Sequence, residues 1–369
     1  MKVLQILDTL SRGGAQMLAL DLCRNARANG LDLTFVATGG GDLEDEFRRA
    51  DVEFIRLQRK MPVDPELVRK LRQIILDRKA QVVHSHQPVE ALHAYLAVGK
   101  KGVKQVLTLH GYVGDLKNRL TLRFLLPRMS ANIAVSQHFL ERLSAEEGFD
   151  TSRNFHVIRN GVDARRIESN GGGVRAELGL TKGHILLGMV GNFHFGVKDQ
   201  MTICRALPQL LRQAPRLHFV FAGGRSAAAP HLYDDCVRYC SEQNIIDRVH
   251  FLGQRSDVAD VLNSLDAFVF SSLKEGLPIA VIEAMMMGLP TIVSDIGPLL
   301  EVSGNGSYAL VFRRQDPLDL VEKLTPLVTA PGQFARLGAE AKEWAREQFS
   351  IEGHICELRG LYKALAFQA

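Results

Sequence analysis

Glu275 and Glu283 stand eight residues apart in the stretch KEGLPIAVIEAMMMGLP, which covers residues 274–290. A strand-like run, Asp266-Ala-Phe-Val-Phe270, precedes them, and the pattern predicts an amphipathic helix opening at Pro278. Proline suits the first helical turn because the amide it lacks would have no partner there. The amides of Gly276, Leu277 and Ile279 would then lie at the positive end of the helix, an anion site. Glu275 precedes that end, and Glu283 would sit roughly 7–8 Å further along the axis. Two acids flanking a phosphate-binding helix end suit a ligand with hydroxyls on both sides of a diphosphate. A nucleotide-sugar has that form.

A second phosphate-type loop lies at the start of the chain, in Asp8-Thr-Leu-Ser-Arg-Gly-Gly-Ala-Gln16. Gly13 and Gly14 before a helix let the backbone approach a ligand and aim amides at an anion. The spacing is not G-x-G-x-x-G, which weakens a nicotinamide or flavin reading. Glycine turns before helices are also common as purely structural devices. His84 and His86 alternate along a strand end and read as structural, and no third group gives them metal-ligand spacing. His110 ends another strand, where a structural and a catalytic role both stand open. The five cysteines are scattered without a C-x-x-C pair and read as reduced thiols of a cytoplasmic protein.

These groups need scaffolds, and the length of 369 residues predicts two domains. Short apolar runs alternate with helical patterns throughout, as in doubly wound parallel sheets. Strands are expected at 3–7, 33–37, 53–57, 81–84, 105–109, 133–135 and 156–158. After a linker around Gly171–Gly173 they resume at 184–190, 217–222, 249–252, 267–270 and 291–293. The expected division is 1–167 with 350–369, and 168–349, the last helix returning to the first domain. Two such α/β sheets would face a cleft and present ligands beyond the carboxyl ends of their strands. The N-terminus reads as a strand and glycine loop rather than a signal peptide, and no apolar run approaches the ~18–20 residues of a spanning helix. Residues 1–167 carry 26 Lys/Arg against 19 Asp/Glu, too mild an excess for nucleic acid but compatible with an anionic acceptor or membrane face.

The chain resembles the GT-B glycosyltransferases of family 4, the retaining nucleotide-sugar transferases, nearly end to end. The matching segments are GGAQ at 13–16, VVHSHQP at 82–88, TLHG at 108–111, AVSQ at 134–137 and VIRNGVD at 157–163. They continue with MVGNF at 189–193, Lys198, VHFLGQRSDV at 249–258, the EGLP glutamate pair within 271–295, and FSIE at 349–352. The resemblance implies a GT-B fold of two Rossmann-like domains and a UDP- or GDP-sugar donor. It implies that Glu275 binds donor hexose hydroxyls, while Gly276, Leu277, Pro278 and Ile279 hold the distal phosphate and sugar. Glu283 would accept from the ribose, and Gly13 and Gly14 would close on the diphosphate from the opposite domain. Lys198 would neutralise the departing diphosphate, His110 would contact the transferred sugar, and Gly253 to Arg255 would line the base. Transfer is expected to proceed by a front-side route without a required metal or other cofactor.

Two departures stand out. An arginine often precedes the lysine by about six residues in the family, and here that donor-site position is Asn192, leaving Arg225 or Arg12 to supply charge. In SDIGPLLEV, Pro298 follows Gly297 in what is expected to be a donor-pocket loop. The acceptor is expected to be a glycan or a lipid-linked molecule of cell-envelope or exopolysaccharide assembly. Residues 114–128 interleave Lys117, Arg119, Arg123 and Arg128 with leucines and Phe124. They read either as a surface lying on the inner face of an anionic membrane or as a buried helix with a basic rim. A GT-B nucleotide-sugar epimerase and a catalytically silent scaffold are the rival functions.

Overall fold

The computed structural model describes residues 1–99, 102–111, 116–168, 173–194 and 197–367. Gly171 and Gly172 of the expected linker, and Gly114 and Asp115 of the basic stretch, lie outside that set. The chain divides into two compact units, Met1–Asp163 with Phe349–Ala369, and Ala164–Gln348.

The first unit holds a seven-stranded parallel sheet: β1 Lys2–Leu7, β2 Asp32–Ala37, β3 Glu53–Arg56, β4 Val82–Ser85, β5 Lys104–Leu109, β6 Ala131–Ala134 and β7 Phe155–Val157. Their order is β3-β2-β1-β4-β5-β6-β7, so the winding reverses between β1 and β4. The strands are nearly continuous apolar runs because helices cover both faces. One covering helix shows how local chemistry sets an element. Pro65–Asp77 begins where the Asp64 side chain accepts from the amides of Glu66 and Leu67, with Pro65 in the first turn. It buries Leu67, Leu71 and Ile75, spaced by one helical turn, against Leu4, Ile6, Val36 and Val83.

The C-terminal helix Ile351–Phe367 returns to this unit and packs on the helix Gly14–Asn25. Its Tyr362 is fully buried against β1 and β4 through Gln5 and His84.

The second unit holds a six-stranded parallel sheet: β8 Ile185–Val190, β9 Leu217–Ala222, β10 Val249–Gly253, β11 Ala267–Phe270, β12 Thr291–Ser294 and β13 Leu310–Phe312. The order β10-β9-β8-β11-β12-β13 reverses between β8 and β11. Both sheets are thus doubly wound, as expected, although β13 escaped the sequence pattern. Three smaller differences have physical causes. The turn Ala164–Ile167 belongs with the second unit, where Arg166 pairs with Glu283. The segment read as a loop at SDIGPLLEV contains a helix, Gly297–Val302, with Pro298 in its first turn, where proline costs no hydrogen bond. The helix after the EGLP motif is Ile279–Met286, with Pro278 as its extended N-cap, and it is not amphipathic. All its residues except Ala280 are buried, Glu283 included.

Candidate functional site

In the second unit the chemistry gathers where the sheet reverses. β8 and β11 are neighbours, and the segments leaving their carboxyl ends converge. Such reversals in open α/β sheets are where ligands bind. Lys198 follows β8 and forms an isolated antiparallel bridge with Ser272, which follows β11. The two segments are tied further by Val197 O, which accepts from the amide of Leu273 at 2.7 Å and the hydroxyl of Ser272 at 2.6 Å. This stitching places Lys198 Nζ against the Glu275 carboxylate as an ion pair. The ammonium also lies 4.6 Å from the centre of the Phe270 ring. Ser272 Oγ also lies 2.7 Å from Glu275 Oε1, so its single proton is shared between that carboxylate and Val197 O. A second serine, Ser294 at the end of β12, holds the loop by accepting from the Ser272 amide at 3.1 Å and donating to Ser272 O at 2.9 Å.

Gly276, Leu277 and Pro278 lead from Glu275 into the helix Ile279–Met286, and Leu277 and Ile279 are buried. Glu283 lies one turn inside and is only 4 % exposed. Its Oε1 pairs with Arg166 Nη1 at 2.7 Å, a partner the sequence analysis did not anticipate.

The remaining expected positions follow β8 and end β10, on the same side of the sheet reversal. Asn192, after β8, spends its side-chain oxygen accepting the Gly224 amide at 2.8 Å. That contact belongs to a very close approach of two loops. A Cβ on Gly223 would lie 2.0 Å from Gly191 O, so only glycine fits. Gly253 ends β10 with φ of +66°, a left-handed conformation that favours glycine. Arg255 does not present an open guanidinium: it makes two hydrogen bonds to Asp257, at 2.8 and 2.7 Å, and pairs with Glu177 at 3.0 Å. Those carboxylates hold its pKa above the usual arginine range. The two candidates for the cation absent at Asn192 are likewise engaged. Arg225 is bidentate to Asp234 at 2.8 and 2.7 Å. Arg12 pairs with Asp42 at 3.3 Å and Glu46 at 2.8 Å.

In the first unit, Gly13 is the extended N-cap of the helix Gly14–Asn25, at the carboxyl end of β1. His110 follows β5, and His84 and His86 lie in and just beyond β4. The three histidines form a stacked, hydrogen-bonded row. Gln5 sets its polarity. The Gln5 carbonyl oxygen accepts from His86 Nε2 at 3.4 Å, which leaves His86 Nδ1 to accept from His110 Nε2 at 2.9 Å. With the Gln5 amide in this orientation, the donor–acceptor order along the row puts the His110 proton on Nε2 and leaves Nδ1 as an acceptor. On the far side, Tyr362 donates to His84 Nδ1 at 2.5 Å and His84 Nε2 donates to Thr108 at 2.7 Å.

Burial lowers the pKa of His110 to about 4 and that of His84 to about 3, and it holds His86 well below the ordinary range. The row is neutral near pH 7. His110 can serve as a hydrogen-bonding group there, not as an acid. Among the described residues, no group of three His, Cys, Asp or Glu side chains could hold a metal ion. The cysteines are free, four of them buried.

Chemically, the second unit offers an ammonium, a carboxylate and a helix N-terminus within one loop cluster. A cation beside backbone amides can meet phosphate, and the carboxylates can accept from hydroxyls. Comparison with known proteins gives the family. Residues 12–166 match the family described as Glycosyltransferase Family 4, and residues 184–330 match Glycosyl transferases group 1. The chain is 22 % identical to the N-acetyl-alpha-D-glucosaminyl L-malate synthase of Bacillus anthracis, over 95 % of this chain and 94 % of that one. It is 24 % identical to the UDP-Gal:alpha-D-GlcNAc-diphosphoundecaprenol alpha-1,3-galactosyltransferase of Escherichia coli, over 83 % and 80 %. The fold superimposes on Anabaena HepE, solved in complex with UDP-glucose, with a TM-score of 0.85 at 18 % identity, covering 99 % of this chain and 100 % of that one. From its motifs, its two doubly wound sheets and these matches, the chain belongs to the family 4 glycosyltransferases of GT-B fold.

Proposed function

We propose that this glycosyltransferase moves a hexose-type sugar from a UDP- or GDP-sugar to a glycan or lipid-linked acceptor, with retention at the anomeric carbon. The observation that carries the reading is the Lys198–Glu275 pair, fixed at the sheet reversal beside the helix Ile279–Met286. In the resting protein the two charges satisfy each other. An arriving diphosphate gives Lys198 a second anion and leaves Glu275 to accept from sugar hydroxyls. The backbone from Gly276 to Ile279 holds the distal phosphate, Glu283 takes the ribose, and Gly253 with Arg255 lines the base. Gly13 and Gly14 contact the diphosphate, and Nδ1 of His110 accepts a hydroxyl of the transferred sugar.

Neither glutamate is placed as a nucleophile. The leaving diphosphate takes the acceptor's proton as positive charge grows on the sugar ring, and the protein contributes orientation and charge stabilisation. No metal is assigned to the reaction, because Lys198 and main-chain amides meet the leaving charge. An acceptor in cell-envelope or exopolysaccharide assembly is supported by the lipid-linked acceptor named for the E. coli relative.

The test is a thermal-shift screen of nucleotide-sugars, since a ligand bound to the native state raises its stability. Product analysis with the stabilising donor follows, reading the anomeric configuration with and without chelator. A UDP- or GDP-hexose is expected to stabilise the protein and to yield the retained anomer in chelator. No stabilisation by any nucleotide-sugar, or full turnover by Glu275→Ala, overturns the assignment.

A further inference from the structure

The helix Leu116–Leu125 has two apolar sides. Leu122 and Leu125 are buried in the first unit, as a packed surface helix requires. On the other side Leu116 is 70 %, Leu120 56 % and Phe124 42 % exposed. These three residues are spaced by four, so they form one line along the helix, roughly 12 Å long. Leu96, on the helix Pro88–Val98 that packs beside it, is exposed as well.

The charges carried by the helix itself have one sign. Lys117, Arg123 and Arg128 are exposed, and the Arg128 guanidinium lies 4.1 Å over the Phe124 ring. Arg119 is turned to Glu147 at 3.4 Å and is not available to a partner. Leu116–Leu125 itself contains no acidic residue. Between Glu90 and Glu141 the sequence holds seven Lys/Arg and one Asp, a balance of +6. The whole first unit holds 26 Lys/Arg and 21 Asp/Glu, or +5. The unit's positive excess is therefore concentrated in this stretch, and the rest is slightly acidic.

We propose that this face docks on the surface of an anionic lipid bilayer. Leu116, Leu120 and Phe124 enter the headgroup–acyl boundary, and Lys117, Arg123 and Arg128 meet lipid phosphates. An apolar line flanked by cations, with aromatic and leucine side chains outward, is the pattern of a helix lying in the plane of a membrane interface. A folded protein partner would be expected to answer some charges with acceptors of its own shape. A bilayer asks only for an apolar line with positive flanks, which is what the helix presents. The inference deepens the reading of a lipid-linked acceptor by naming the surface from which it would be delivered, and its test needs neither donor nor turnover.

The full chain is floated with vesicles of phosphatidylcholine alone and with vesicles containing about 30 % phosphatidylglycerol. Recruitment to the anionic vesicles only, reversed by high salt, is the expected result. Each basic residue near such a surface contributes about fivefold, so Lys117→Glu with Arg123→Glu is expected to weaken recruitment on the order of 10²–10³-fold. Leu120→Ser with Phe124→Ser weakens it at least about tenfold. The serine variant is expected to stay folded, with a modest fall in melting temperature from the lost Tyr95 and Arg128 contacts of Phe124, and to keep its turnover on a soluble acceptor. Absent recruitment of the parent, equal recruitment to both vesicle types, or variants that bind as the parent does would each overturn the proposal. Loss of vesicle binding with intact transfer would sink this inference alone, whereas vesicle binding without transfer would sink the functional reading alone.

Discussion

Replacing Lys198 by methionine removes the ammonium while keeping an unbranched stem to lie over Phe270. The site makes its cost calculable. A full charge held about 3.5 Å from an ammonium, at an effective dielectric near 20, interacts by about 5 kcal/mol. If the breaking sugar–phosphate bond places roughly half a charge more on the leaving oxygen, about 2.5 kcal/mol of that acts only in the transition state. At about 1.4 kcal/mol per decade this is roughly a sixtyfold loss in kcat, and loss of a preorganised donor elsewhere costs on the order of 10²–10³. The expected fall in kcat is therefore between about 50- and 1,000-fold. Of the other cations weighed for the diphosphate, Arg225, Arg12 and Arg255 are each held by carboxylates, and Asn192 supplies no charge.

The assay separates kcat from KM for the donor, with thermal melting as the control for folding. Glu275 keeps the Ser272 hydroxyl in the variant, so the stability cost is expected to stay near 1–3 kcal/mol. Turnover within threefold of the parent, or a loss confined to donor KM, would refute the reasoning. The second result would mean that Lys198 binds ground state and transition state alike.

Glu283→Ala should weaken donor binding, and it also removes a buried carboxylate from beside Arg166, whose side chain is 12 % exposed, at a cost of about 1–3 kcal/mol. Arg166→Met with Glu283→Leu removes both charges and should recover much of the melting temperature without the donor affinity. Undiminished donor affinity in that double variant would remove the ribose role. Acid should destabilise the first unit in a defined window. Burial lowers the pKa values of folded His84, His110 and His354 to about 3, 4 and 4, below the ordinary 6.5. The unfolded chain binds more protons between those values, so stability present above about pH 6.5 is lost as pH falls towards 4. At pH 5 each histidine costs about 2 kcal/mol, and a melting temperature flat from pH 7 to 5 would contradict the buried, neutral row.

What the sequence carried and what it withheld follow from the range of the interactions. The central strands of both sheets are buried on two faces, so runs such as Phe-Val-Phe or Ile-Leu-Leu announce themselves without any partner. β13 did not, because Leu310–Phe312 is three residues long and two of them are only half-buried. The helix Gly297–Val302 hid because a Gly-Pro pair marks a loop as readily as a first turn. The site divides in the same way. Glu275, Lys198 and the helix after EGLP are local signals: a residue type, a proline, a spacing.

Their partners are not local. Lys198 finds Glu275 across 77 positions, and Gln5 reaches the histidines from 79 away. Arg166, a short turn after the linker, had no periodicity or motif to single it out. Its pairing with Glu283 exists only because the turn Ala164–Ile167 packs beside the helix Ile279–Met286. The residue types thus disclosed which groups could meet a nucleotide-sugar. Only the register of β8 against β11, and of β1 against β4, decides which of them are already occupied in the resting protein. That distinction makes Lys198 the decisive perturbation: among the cations weighed for the diphosphate, it alone has as its partner a carboxylate that is itself proposed to take up the ligand.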